Sequence, residues 1–143
     1  MASTKNFVRA SSVTAVTTRL ESILLSVLRV MAGLLVLQHG TAKYLNLPVG
    51  PMNNASIGTL SGAAGAIEFI CGILIVIGLF TRPAAFLLSG MTAVAYFIAH
   101  APRGFFPILN GGELAVLYSF VFLFLAAAGG GPFSVDRLMR PKE

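Results

Sequence analysis

The chain has 143 residues, of which 56% are hydrophobic and only 10% charged, with a formal net charge of +5. Soluble domains carry about 25% charged residues, so the composition excludes an ordinary water-soluble domain and points to a single-domain integral membrane protein. The basic residues flank apolar segments, as membrane topology requires, which argues for the lipid bilayer as partner and against nucleic acid.

The first 20 residues, MASTKNFVRASSVTAVTTRL, hold Lys5, Arg9 and Arg19 and no acid. Transit peptides share that composition, but residues 1–19 read here as a basic cytoplasmic tail. Four apolar stretches follow, at about 20–40, 60–79, 84–100 and 113–131. Seventeen to twenty helical residues cover roughly 25–30 Å, a full but thin hydrocarbon core. Each must be helical, because lipid cannot satisfy unpaired backbone groups. The predicted fold is therefore all-α: an integral membrane four-transmembrane-helix bundle over residues 20–136, with a second basic tail at 137–143.

The connections are uneven. Residues 41–59 (TAKYLNLPVGPMNNASIGT) form the longest predicted loop, and residues 80–83 (FTRP) a tight turn with Pro83 suited to the first helical position. The Gly and Pro content of residues 101–112 argues against a further helix. With four spans, both tails and the 80–83 turn share one side. That side carries Lys5, Arg9, Arg19, Arg82, Arg137, Arg140 and Lys142, against Lys43 and Arg103 on the other. The positive-inside rule then places both termini in the cytoplasm.

Arg29, His39, Glu68, His100 and Glu113 lie inside or at the ends of the spans. Ionisable groups in hydrocarbon cost several kcal/mol, are rare, and face a bundle interior with a partner. Arg29 is about 15 Å below His39, and Glu68 about 12 Å below Leu60. Similar depth on consecutive antiparallel helices predicts a direct Arg29–Glu68 ion pair, either a structural clamp or the floor of a site. Helical phase places Arg29, His39 and Lys43 within about 80° of arc, with Gln38 opposite. Ser61, Gly65, Glu68 and Gly72 share a face of the second span, and Ser89, Ala93, Tyr96 and His100 a face of the third. In the fourth, Leu117, Phe120 and Phe124 follow Glu113. These stripes predict a polar pocket open to the extracytoplasmic side. In it His39, His100 and Glu113 exchange protons, while Arg29, Lys43, Glu68, Tyr96 and Asn110 hold a small ligand.

Blander readings stand beside these. Asn110 and Glu113 have the spacing of an N-cap and its capping-box acid. Gly58 and Gly62 form a GxxxG that packs the bundle or contacts a second copy in a homo-oligomer. Cys71, the single cysteine, fits a buried inert thiol, since no disulfide or C-x-x-C pair can form. Two histidines on different helices, with no C-x-x-C-H, are weak evidence for haem. No metal site and no covalently bound cofactor is expected.

The residues Arg29, His39-Gly40, Lys43, Glu68, Gly72, Thr81-Arg82, His100, Asn110-Gly111-Gly112-Glu113 and Gly131-Pro132-Phe133-Ser134-Val135-Asp136, in this order, resemble the DoxX family of four-helix bacterial membrane proteins. The likeness covers about residues 22–136. The last motif departs from the family's G-x-G-x-x-S-L-D in register and in having Val135 for leucine. The resemblance implies a multi-pass protein of the bacterial inner membrane. It further implies a quinone-linked redox role like that of the thiosulfate:quinone oxidoreductase small subunit, with quinone as cofactor and a soluble or membrane redox partner. The alternatives are a non-catalytic anchor or assembly subunit of a redox or stress-response complex, and a small transporter. Transporters usually show broken helices or inverted repeats, and neither is evident here.

Overall fold

The computed structural model describes residues 2–140, with side chains from Thr18 to Arg140. Among the described residues every regular element is helical. The long ones are α1 (Ala2–Leu45), α2 (Leu60–Ile77), α3 (Thr81–Ala95) and α5 (Glu113–Ala128). Two single turns, α4 (Pro107–Asn110) and α6 (Val135–Leu138), close the loops on either side of α5. Three segments are long and apolar enough to cross a membrane: Thr18–Leu45, Leu60–Ile77 and Thr81–Arg103. At 16 residues, α5 is shorter and covers about 24 Å.

The helices run alternately up and down. One end of the bundle gathers the 78–80 turn and the segment after α5; it is called the tail end below. The other, the loop end, gathers the segments 46–59 and 101–112. Helix α1 packs along α2 and α3 along α5, with looser contact between the two pairs. The core lies where the pairs meet, in Val36, Cys71, Ile75, Ala85, Leu88, Phe122 and Leu125. Cys71 is buried there as a free thiol, a small apolar packing element as expected. Leu24, Val27, Met31, Ile70, Phe86, Phe97, Phe120 and Phe124 lie on the outside, the arrangement that lipid rather than water favours.

Glycines set the spacing of α1 and α2. A Cβ on Gly40 would meet Phe69 N at 2.5 Å, and one on Gly72 would meet Leu37 Cα at 2.9 Å. Small residues permit such backbone approach in lipid, where packing rather than hydrophobicity drives association. The Gly58–Gly62 pair acts differently: Gly58 faces open space, and Gly62 abuts the Ser56 carbonyl of its own loop.

Several boundaries differ from the sequence reading. Helix α1 continues through Gly40 to Leu45, so the first loop is 46–59 rather than 41–59. Helix α2 ends at Ile77, with Gly78 in the left-handed region (φ 72°) donating to Leu74 and Ile75, a glycine stop. Helix α3 starts at Thr81, so Pro83 is its third residue. There its missing N–H still falls among the unpaired first-turn donors. A π turn, Tyr96–His100, follows α3, closed by Ala101 N–H on the Tyr96 carbonyl. Pro102, which has no N–H to continue the ladder, stands next. The 101–112 loop is not free of helix: it holds a 3-10 turn, Ala101–Arg103, and α4.

Candidate functional site

The predicted Arg29–Glu68 pair does not form. Arg29, 1% exposed, gives its guanidinium to four backbone carbonyls. Its Nε donates to Gly130 (2.9 Å), Nη1 to Ile75 and to Val76 (2.6 Å), and Nη2 to Phe133 (2.5 Å). Ile75 and Val76 lie in the last turn of α2, whose carbonyls have no partner within the helix and whose dipole favours a cation. The guanidinium fork thus ties α1, the end of α2 and the segment after α5 together.

Register explains the error. Gly33 faces Val76, Leu37 faces Gly72 and Gly40 faces Phe69, so each step up α1 is one step down α2. Arg29 is then level with Phe80 and Glu68 with Thr41, twelve positions or about 18 Å apart along the axis. Taking Gly40 as the helix end had placed them at one depth.

Glu68 instead pairs with Lys43, Nζ to Oε2 at 2.7 Å, with side-chain exposures of 7% and 11%. It is the one ion pair among the described residues. Lys43 reaches it across α2 at Gly65, where a Cβ would stand 2.8 Å from Lys43 Cδ. The sequence phase had put both residues on inward faces, which is correct. Their pairing needed the true end of α1.

This pair lies in the floor of a groove of about 570 Å³ between α2 and α3. Apart from Ser61 the walls are otherwise apolar, with Ile67, Phe86, Met91, Val94 and Ile98 among them. Phe86, Val94 and Ile98 are exposed on the outside of the bundle, so the groove opens sideways. Gly90 adds space, since a Cβ there would meet nothing within 4 Å. The groove is not the expected polar pocket: of the predicted residues only Lys43 and Glu68 line it. Its volume falls in the range of small-molecule pockets.

A second cluster forms at the loop end. His100 Nδ1 donates to the Asn110 carbonyl (3.2 Å) and its ring stacks on Tyr96. Because a carbonyl only accepts, Nδ1 is the donor in this contact. Asn110, buried, donates to the Gly104 carbonyl (2.7 Å) and more weakly to Tyr96 Oη (3.4 Å), and accepts from Gly112 N–H (2.8 Å). Asn110 therefore ends α4 rather than capping α5. The cap residue of α5 is Gly112, and the Asn110–Glu113 capping box is absent. Glu113 starts α5 on its outer face, exposed like Leu117, Phe120 and Phe124, so it does not join a shared interior. His39 is half-buried on α1 and makes no hydrogen bond. The eight sequence-predicted residues thus scatter: Lys43 pairs with Glu68, Tyr96 and His100 gather with Asn110, Arg29 lies apart at the tail end, and His39 and Glu113 join none of these groups.

Sequence reasoning missed Asp136. Its carboxylate accepts from Phe80 N–H (2.8 Å) and Thr81 N–H (2.9 Å), bracing the left-handed backbone of Phe80 (φ 48°) at the start of α3. Burial pushes this carboxyl up. The Thr81 and Phe80 donors and the nearby Arg140 outweigh that and hold it below the ordinary carboxylate range. The signal available was the S-x-D spacing after a glycine run. Ser134 caps α6 by accepting from Arg137 N–H.

The DoxX family model matches residues 24–101. An uncharacterized protein of Haemophilus influenzae is 45% identical over 117 residues, covering 78% of this chain and 87% of that protein. A second uncharacterized protein of the same organism is 33% identical over 73 residues, 51% of this chain and 48% of that protein. No solved structure matches the chain. With its apolar spanning helices, the chain is a multi-pass membrane protein that belongs to the DoxX family.

Proposed function

We propose that this protein is a subunit of the bacterial cytoplasmic membrane that binds a quinone headgroup in the α2–α3 groove, in a quinone-linked redox role. In this reading α5 is the fourth span, both termini lie in the cytoplasm and the long loops face outward, following the distribution of basic residues. The observation that carries it is the buried Lys43–Glu68 pair in the floor of a largely apolar groove. A quinone has the matching polarity: an isoprenoid tail suits Phe86, Val94 and Ile98, and a carbonyl suits an ammonium. Lys43 Nζ has three protons, and the Glu68 contact uses one. Reduction of the quinone to quinol takes two electrons and two protons. The electrons come from a redox partner protein, since the sequence carries no electron-carrier motif. The protons pass through Lys43 and Glu68, and His100 exchanges them with water at the loop end.

The test is thermal unfolding of the full chain in detergent, with decylubiquinone or with decylbenzene, which has the tail and no carbonyls. Decylubiquinone should raise Tm and decylbenzene should not, and the double variant Lys43→Met/Glu68→Met should abolish the rise. Equal effects of the two compounds would overturn the proposal.

A second reading has its own support. Val49, Phe105 and Leu109 on the two long loops are 88%, 85% and 81% exposed. Such residues suit a non-catalytic anchor that docks a redox or stress-response partner. Under that reading the double variant leaves the activity of the assembled complex intact.

A further inference from the structure

The tail end holds a second cavity, of about 580 Å³, which the quinone reading does not use. Arg82, Arg137 and Arg140 line it, against one carboxylate, Asp136. All three arginines are exposed and none forms a salt bridge among the described residues. Arg82 makes only a long contact to the Ala126 carbonyl (3.4 Å). Asp136 is committed to the Phe80 and Thr81 amides, so the excess charge of the cavity is positive.

The wall also contains a group with an unmet need. Thr81, fully buried, lines the cavity, and its Oγ1 makes no well-formed hydrogen bond, although it stands close enough to Asp136 to favour the ionised carboxylate. Buried hydroxyls without partners are uncommon, because each forgoes about 1–3 kcal/mol of solvation. Gly130 packs closely beside Thr81, since a Cβ there would meet Ser134 Cβ at 2.7 Å and Thr81 Oγ1 at 2.8 Å. Phe80 and Pro132 line the cavity, and Phe80, Phe133, Leu138 and Met139 of the same segments are all exposed. Position, charge and rim together describe a site at the membrane surface that takes an anion beside hydrocarbon.

We propose that this cavity binds the phosphate of an anionic phospholipid, with Arg82, Arg137 and Arg140 around the phosphate, Thr81 Oγ1 donating to it, and acyl chains along Phe80 and Phe133. The site is separate from the α2–α3 groove, and its proposal stands or falls independently of quinone. Inorganic phosphate shares the chemistry and lacks the chains.

The full chain, delipidated in neutral detergent, is titrated with dioleoyl phosphatidylglycerol, dioleoyl phosphatidylcholine or inorganic phosphate, with bound ligand counted by native mass spectrometry. Phosphatidylglycerol should bind at least about tenfold tighter than phosphatidylcholine. A surface arginine is worth about fivefold in affinity for anionic lipid, so Arg82→Gln/Arg137→Gln should weaken phosphatidylglycerol about 25-fold. Thr81→Val, nearly isosteric, should weaken it about tenfold, the value of a hydrogen bond to a charged group. Arg103→Gln, at the loop end, should leave it unchanged. If inorganic phosphate binds as well as phosphatidylglycerol and the same variants weaken both, the anion site stands and its ligand is the soluble ion. The proposal is overturned if Thr81→Val binds like the wild type, which would reduce the site to diffuse surface charge. It is also overturned if Arg103→Gln matches the double variant, or if phosphatidylcholine binds equally.

Discussion

Removing one member of the Lys43–Glu68 pair should cost far more than removing both. At 2.7 Å and an effective dielectric constant near 20, the attraction is about 6 kcal/mol. Desolvation of the two ions is of similar size, so the intact pair contributes little net stability. Breaking it from one side leaves a charge in an apolar groove, at a cost of about 3–5 kcal/mol. Lys43→Met/Glu68→Met replaces both charges by side chains suited to the groove, and should lie within about 1–2 kcal/mol of the wild type. The coupling energy of the cycle is then about 3 kcal/mol or more, and negative in cost. Unfolding in mixed micelles of dodecyl maltoside and dodecyl sulfate, followed by far-ultraviolet circular dichroism, measures all four proteins. The parallel cycle of Arg29→Met with Glu68→Met should be additive, because those residues share no contact. Additive Lys43 and Glu68 costs, or coupling between Arg29 and Glu68, would refute the assignment of partners.

Arg29→Lys should not rescue Arg29→Gln. Lysine offers a compact charge without the planar fork that reaches four carbonyls, so both variants should lose at least about 2–3 kcal/mol and gain protease cleavage within residues 129–133. Arg29→Lys with wild-type Tm would show the fork to be dispensable. Asp136 has a folded pKa below its unfolded value, so the stability it adds is present above the unfolded pKa, near 4, and is lost as pH falls through the folded value. Asp136→Asn should therefore cost about 1 kcal/mol at neutral pH, as loss of a helix cap does. The Tm gap to the wild type should close with acidification; a gap that stays constant would exclude the carboxylate as its source.

The inward faces of the first three spans were legible because helical phase needs only sequence spacing. Arg29, Lys43, Glu68 and Ser89 are buried where phase put them, and Gln38 is exposed. What failed was axial register, which depends on where a helix ends. Gly40 looked like a terminus, but its missing Cβ serves the approach to Phe69. The stop lies beyond it, where Asn46 takes a positive φ before Pro48. Glu113 failed for another reason. The residues following it on α5, Leu117, Phe120 and Phe124, are all apolar. In a membrane protein that pattern marks the lipid face as readily as the core. Periodicity alone cannot tell the two apart, and the buried residues proved to be Phe122 and Leu125.

The separation of the two buried cations bears on which of them can take part in chemistry. An arginine stays protonated under any ordinary condition, and its partners here are carbonyls, which cannot accept its proton outright. The Arg29 cluster can hold the tail end together but cannot exchange anything. A lysine and a glutamate at 2.7 Å differ in kind, because one proton moving from Nζ to Oε2 would turn the ion pair into a neutral amine and acid. Under the proposed reading, a quinone carbonyl would take one of the two Nζ protons that the Glu68 contact leaves over, which a guanidinium already bound to four carbonyls cannot offer.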